Sequence, residues 1–226
     1  MYTEALKLLK ETIREEWAAR LPISDQHKNA VRAVLPQVKA CQSHPTKRPQ
    51  VAGLEWKNNK VFILDQFPDL VFKYVDAARF EKVVEDQSVC IIHQLTHLVI
   101  PCTQPLNLEG EIFIVQKRVD FDDAPGNQEL YYRKLAERLE TAVSQLMTYT
   151  LKTQESDIEW RNCPVLGDPK ITQGPLKIAL IDHDLKESNK WGILGYSFLN
   201  RRGLLGLLGR KQAQKVAEEA KRHFSP

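Results

Sequence analysis

The sequence predicts an α+β fold of two lobes behind a helical extension, and three patterns carry that expectation. Short apolar runs separated by turn residues fill residues 51–121, whereas apolar residues recur at helical spacing over 2–20 and 128–153. Between the strand-rich and helix-rich parts lies Asp122-Asp123-Ala124-Pro125-Gly126-Asn127, which breaks both periodicities. The expected division is a helical extension over 1–50, a small β-rich lobe with one helix over 51–121, and a mostly helical lobe over 122–226.

Ala5, Leu6, Leu9, Ile13 and Trp17 mark the inner face of a first helix over 2–20, ended by Leu21-Pro22. Ser24-Asp25 is placed to cap a short second helix over Ala30 to Val38. The polar, proline-bearing stretch 41–50 then reads as a loop. Val61–Leu64 and Leu70–Val75 are two strands joined by a tight connection, and Lys73 sits inside the second with apolar neighbours on both sides. Residues 76–90 turn helical, with Phe80, Val83, Val84 and Val89 on one face. Strands over 98–101 and 111–120 complete an antiparallel sheet with one inserted helix.

A long helix over 128–153 follows, with Leu135, Leu139, Ala142, Val143, Leu146 and Tyr149 as its buried stripe. After it come a polar turn, an apolar strand over 177–181 ending at Asp182, a Gly- and Leu-rich piece over 203–209, and a charged helix over 211–223.

Composition excludes several classes. The 226 residues are 42% apolar and 27% charged, in the range of ordinary globular proteins. No apolar run approaches the ~20 residues that span a bilayer. A net charge of +3, from 32 basic and 29 acidic residues, makes no case for nucleic acid or an anionic membrane. The four cysteines (Cys41, Cys90, Cys102, Cys163) show no C-x-x-C spacing, which suggests reduced thiols in a cytoplasm. The amino terminus lacks a basic segment followed by an apolar one, so no conventional secretory signal is expected.

Cys90, His93, His97 and Cys102 fall within thirteen residues and offer the soft donors zinc favours, but at a spacing that fits no common finger. Buried cysteines with surface histidines are the expected state.

The order of Lys73, the 76–90 helix, the 111–120 strand, Asp157 to Asn162 and Asp182 resembles the protein-kinase-like superfamily over roughly residues 51 to 185. The resemblance implies a reduced two-lobed kinase-like fold with a truncated C-terminal lobe, binding ATP and magnesium. It assigns Lys73 to the nucleotide phosphates and Glu85, twelve residues on, to holding that lysine, with Glu81 one turn earlier as the other choice. Gln116 would stand at the gate of the adenine pocket, with backbone groups of Lys117 and Val119 facing the purine edge. Asp157 would accept the proton of a substrate hydroxyl, and Asn162 and Asp182 would hold magnesium through an amide oxygen and a carboxylate. His183 would pack like the phenylalanine it replaces.

Five features depart from the family pattern. Gly53 is the only glycine before Lys73, so no glycine-rich loop can cover the phosphates. Glu155-Ser156 precedes the catalytic acid in place of His-Arg, and Glu159 stands where a lysine is usual. Asp182-His183-Asp184 replaces Asp-Phe-Gly, with Asp184 a further candidate ligand, and 42 residues follow it. Three functions follow as expectations: phosphate transfer to a protein hydroxyl, a catalytically inactive pseudokinase that binds a partner protein, or a small-molecule kinase. Short chains of this kind resemble kinase-like proteins of intracellular bacteria, which adds secretion into a host cell without a cleaved signal to the cytoplasmic expectation.

Overall fold

The computed structural model describes residues 2–43, 48–58, 60–75, 77–119, 131–132, 134–153, 162–183 and 218. Residues 1–85 and 101–119 form one unit, and residues 86–100 and 120–226 form another. The mixed α+β class is as the sequence predicts, with helices and an antiparallel five-stranded sheet.

Helix α1 (Tyr2–Arg20) buries Ile13 and Trp17, leaves Leu6 and Leu9 half-buried, and exposes Ala5. It closes where the Leu21 N–H donates to the Trp17 carbonyl at 2.8 Å and Pro22 offers no further donor. Helix α2 (Asp25–Ser43) begins after Ser24, whose N–H donates to His27 Nδ1 at 3.1 Å. His27 here takes the place of the glutamate in a capping box. The helix outruns the expected 30–38 because Val31, Val34, Leu35, Val38 and Cys41 continue one buried stripe, while Pro36 lies on the exposed side.

The sheet comprises β1 (Leu54–Trp56), β2 (Val61–Leu64), β3 (Phe67–Tyr74), β5 (Thr103–Leu108) and β6 (Glu111–Lys117), in the order β1-β2-β3-β6-β5. Every neighbouring pair is antiparallel. The register sets Phe62 opposite Phe72 and Tyr74 opposite Phe113, so period-2 alternation gathers these rings on one face. Phe62 lies 5.6 Å from Phe72 and 6.2 Å from Phe113, and all three are fully buried. A two-residue turn joins β5 to β6 with positive φ at Glu109 (53°) and Gly110 (81°), the geometry that matches strand twist.

Helices α1 and α2 pack across β5. Gln104 Nε2 donates to the Arg14 carbonyl at 3.5 Å, and Cys102 Sγ lies 3.5 Å from the Trp17 carbonyl. From α2, Lys39 meets Glu111 at 2.6 Å and Arg32 meets Glu109 at 3.0 Å.

The expected sheet strand over 98–101 is corrected. Its core, β4 (Leu98–Val99), pairs in parallel with β7 (Ile178–Ala179) in the second unit, and the sheet takes β5 instead. Pro105 makes β5 look unlike a strand, yet β5 is an edge, where proline is tolerated.

Helix α3 (Ala77–Ile92) contributes residues 77–85 to the first unit and 86–92 to the second. Phe80, Val83 and Val84 are buried as expected. In the second unit, α4 (Ala136–Thr153) buries Leu139, Ala142, Val143, Leu146 and Tyr149. Gln145 Oε1 accepts the His97 N–H at 2.7 Å, tying α4 to the chain before β4. The expected helix over 211–223, the Gly- and Leu-rich piece over 203–209 and the start of the 128–153 helix lie outside the described residues, save residue 218 and parts of 131–135. No helix among the described residues is long and apolar enough to cross a membrane.

Candidate functional site

The second unit brings two of the expected site residues to one strand end. Strand β7 lies between two partners. On one side, Ile178 N donates to His97 O and Leu180 N to Val99 O, both at 2.9 Å. On the other, residues 162–166 run antiparallel to 177–181: Leu166 N donates to Lys177 O at 2.9 Å, Ala179 N to Pro164 O at 2.9 Å, and Ile181 N to Asn162 O at 3.1 Å. A strand paired on both edges accommodates a continuous apolar run, and Ile178, Ala179 and Leu180 are all buried. The pairing ends at Asn162 and Ile181, so Asn162 and Asp182 arrive at the same end of the paired segments.

Asn162 is buried to 9% exposure and Asp182 is exposed. An amide oxygen and a carboxylate are hard oxygen donors of the kind magnesium takes while keeping several waters, so this donor chemistry fits the ion. Asp182 Oδ1 also accepts the His183 N–H at 3.1 Å. Asp157, the expected proton acceptor, and Asp184 lie outside the described residues. Among the described residues no group of three His, Cys, Asp or Glu side chains gathers to hold a metal.

The cysteine–histidine set is not such a group. Cys90 and Cys102 are buried, His93 is exposed and His97 half-buried. Burial, with a further contribution from Asp86, pushes the Cys90 thiol up to about 12, so it keeps its proton.

His183 is buried, and its ring carries polar bonds a phenylalanine could not make. Nδ1 lies 2.7 Å from Asp86 Oδ2 and 3.5 Å from Tyr149 Oη, and Nε2 lies 3.2 Å from the Leu180 carbonyl oxygen. Sequence reading passed over Asp86. Its signal was position: Asp86 falls three residues after Val83 and four before Cys90, on the apolar side of α3. A carboxylate there needs a buried partner.

In the first unit, Lys73 lies in β3, a central strand, opposite Val61 of β2 and Ile114 of β6. It is half-buried and alternates away from the phenylalanine face. Of its two candidate acids, Glu81 pairs with Arg14 of α1 at 2.5 Å, and Glu85 is an exposed residue of α3. Gln116 is buried, with Nε2 3.4 Å from Thr103 Oγ1. The Lys117 N–H donates to Cys102 O at 2.8 Å and is thus engaged beside the sheet. Val119, half-buried, is the last described residue of this unit.

Compared with models of known protein families the chain matches none, and no curated protein matches it.

Proposed function

We propose that this chain is an atypical, minimal kinase-like protein that binds ATP with magnesium and transfers the γ-phosphoryl group to a protein hydroxyl. One observation carries the reading: a lysine on the third strand of an antiparallel sheet, followed directly by the one helix inserted into that sheet. Kinase catalysis uses a lysine on this strand against the phosphates and a glutamate of the following helix to hold it. Lys73 takes the first role and Glu85 the second, and the Lys117 carbonyl and the backbone of Val119 face the adenine. The shared end of Asn162 and Asp182 supports their role as oxygen ligands. Magnesium held by these two oxygens would supply charge neutralisation for the phosphates. Asp157 takes the proton of the acceptor hydroxyl.

A second reading, a pseudokinase that uses the scaffold to bind a protein partner, is favoured by the β1–β2 turn. Lys57 N and Asn58 N both donate to Val61 O, at 2.8 and 3.1 Å, and Lys60 N donates to Asn58 Oδ1 at 2.8 Å. This short turn without glycine offers no flap over phosphates.

Thermal-shift titration of ATP with and without magnesium, on wild type, Lys73→Ala and Asp182→Ala, tests the proposal. A native-state ligand at a hundredfold excess over its dissociation constant stabilises by about 2.7 kcal/mol. The expected result is a magnesium-dependent shift in wild type that both variants lose. Absence of that shift in wild type would sink nucleotide binding, and a shift without phosphate transfer to any protein acceptor would select the pseudokinase.

A further inference from the structure

We propose that the buried pair Asp86–His183 positions the Asp182 carboxylate for its metal, an inference that rests on the reading of Asp182 as a magnesium ligand. Both side chains are closed off from solvent, at 0% and 1% exposure. The Leu180 carbonyl can only accept, so the ring proton on that side sits on Nε2. On its other side the ring meets Asp86, with Nδ1 2.7 Å from Asp86 Oδ2. Rotating the ring away would leave Asp86 buried without this partner, an outcome that low-dielectric surroundings penalise heavily.

This fixed ring controls the backbone of its own residue. On the amino-terminal side the chain is pinned through Leu180 N to Val99 O and Ile181 N to Asn162 O, at 2.9 and 3.1 Å. On the carboxyl-terminal side it is pinned by the imidazole. Between these anchors the His183 N–H points at Asp182 Oδ1 at 3.1 Å and sets the direction of an otherwise exposed carboxylate. Asp86 and His183 are therefore positioning residues, acting through Asp182. Groups that orient metal ligands in this way are worth 10- to 100-fold in metal affinity.

The test compares wild type with Asp86→Ala, Asp86→Asn and the double variant Asp86→Leu/His183→Phe. The readouts are the magnesium concentration at half-maximal ATP-dependent stabilisation and the ATP affinity in EDTA. The double variant removes both polar partners together and refills the space with apolar groups, so it tests the idea even where a stranded single partner prevents folding. The midpoint for magnesium is expected to rise about tenfold or more in Asp86→Ala and in the double variant, with metal-free ATP affinity unchanged. Asp86→Asn can turn its amide N–H toward an accepting Nδ1 and is expected to stay near wild type. A folded double variant with the wild-type magnesium midpoint would reduce the pair to packing and overturn the inference alone. No magnesium-dependent shift in wild type would instead remove the underlying assignment of Asp182.

Discussion

A guanidinium that donates to three carbonyls cannot be replaced by an ammonium. Arg138 of α4 bonds the Gly174 carbonyl through Nε at 3.1 Å, the Pro169 carbonyl through Nη1 at 2.6 Å, and the Thr172 carbonyl through Nη2. Its own carbonyl accepts the Leu176 N–H at 2.9 Å. The loop over 168–175, turned by bonds to Asp168, is thus tied to α4 by one side chain. Arg138→Lys and Arg138→Ala are both expected to lose about 2 kcal/mol of stability in urea unfolding, because a single amine cannot span three fixed acceptors. Near-wild-type stability of the lysine variant would show that charge, not fork geometry, holds the loop. Cys90 gives a second expectation. With its thiol pushed up to about 12 by burial and by Asp86, it should resist a disulfide reagent in the native chain at mildly alkaline pH and react only on unfolding. Mass-spectrometric mapping of the labelled cysteine checks this, and prompt native-state labelling of Cys90 would contradict it.

At the scale of elements, buried side chains hold α1 and α2 in the first unit, and ion pairs to β6, to the β5–β6 turn and to α3 add contributions of unequal worth. Trp17 is 4% exposed, and Trp17→Ala is expected to cost about 3–5 kcal/mol by the cavity it leaves. The exposed pair Arg14–Glu81 should contribute far less, since water screens it. Glu111 couples α2 to β6. The Lys39 ammonium, and then the Tyr74 hydroxyl, hold its carboxyl below the usual 4.5, so the folded state favours the charged form. A lowered folded pKa stabilises above the unfolded value and loses that contribution as pH falls through the folded one. Lys39→Met should therefore be less stable than wild type at neutral pH, with the difference shrinking in acid denaturation series. An equal difference at both pH values would assign the loss to packing of the lysine stem. Most elements were legible from periodicity: α1 and α3 carry helical apolar stripes, β2 and β6 carry apolar runs, and Leu70–Phe72 marks β3 around the interruption at Lys73. β5 was not, since Gln104 stands on the same face as Leu106 and Leu108, Pro105 reads as a strand breaker, and its place depends on β6 beside it.

For the whole molecule, what could be read locally and what could not divide along contact distance. Lys73 and Asp182 stand out because each interrupts or ends an apolar strand. Asn162 and Asp182 are about twenty residues apart in sequence, and the local pairing of 162–166 with 177–181 brings them to one end. The bond from His183 to Asp86 spans 97 residues, and no local pattern announces its partner. The same holds for the division into units. The break at 122–127 is visible in composition, but the crossing between residues 85 and 86 falls inside α3, where periodicity continues. The chain passes between units there, at 100/101 and at 119/120, so neither unit is a contiguous piece. This predicts how fragments behave. Residues 1–119 contain the whole sheet but also 86–100, whose β4 pairs with β7 and whose Asp86 pairs with His183, both beyond residue 119. Leu95, Leu98 and Ile100 are buried in the complete chain, and the fragment would present them to water beside a buried carboxylate that has lost His183. Expressed alone, 1–119 is expected to aggregate or to melt without cooperativity, and co-expression with 120–226 should recover a soluble complex. A monomeric 1–119 with a sharp unfolding transition would mean that 86–100 is a tolerated insertion in the first unit and not an obligatory part of the second.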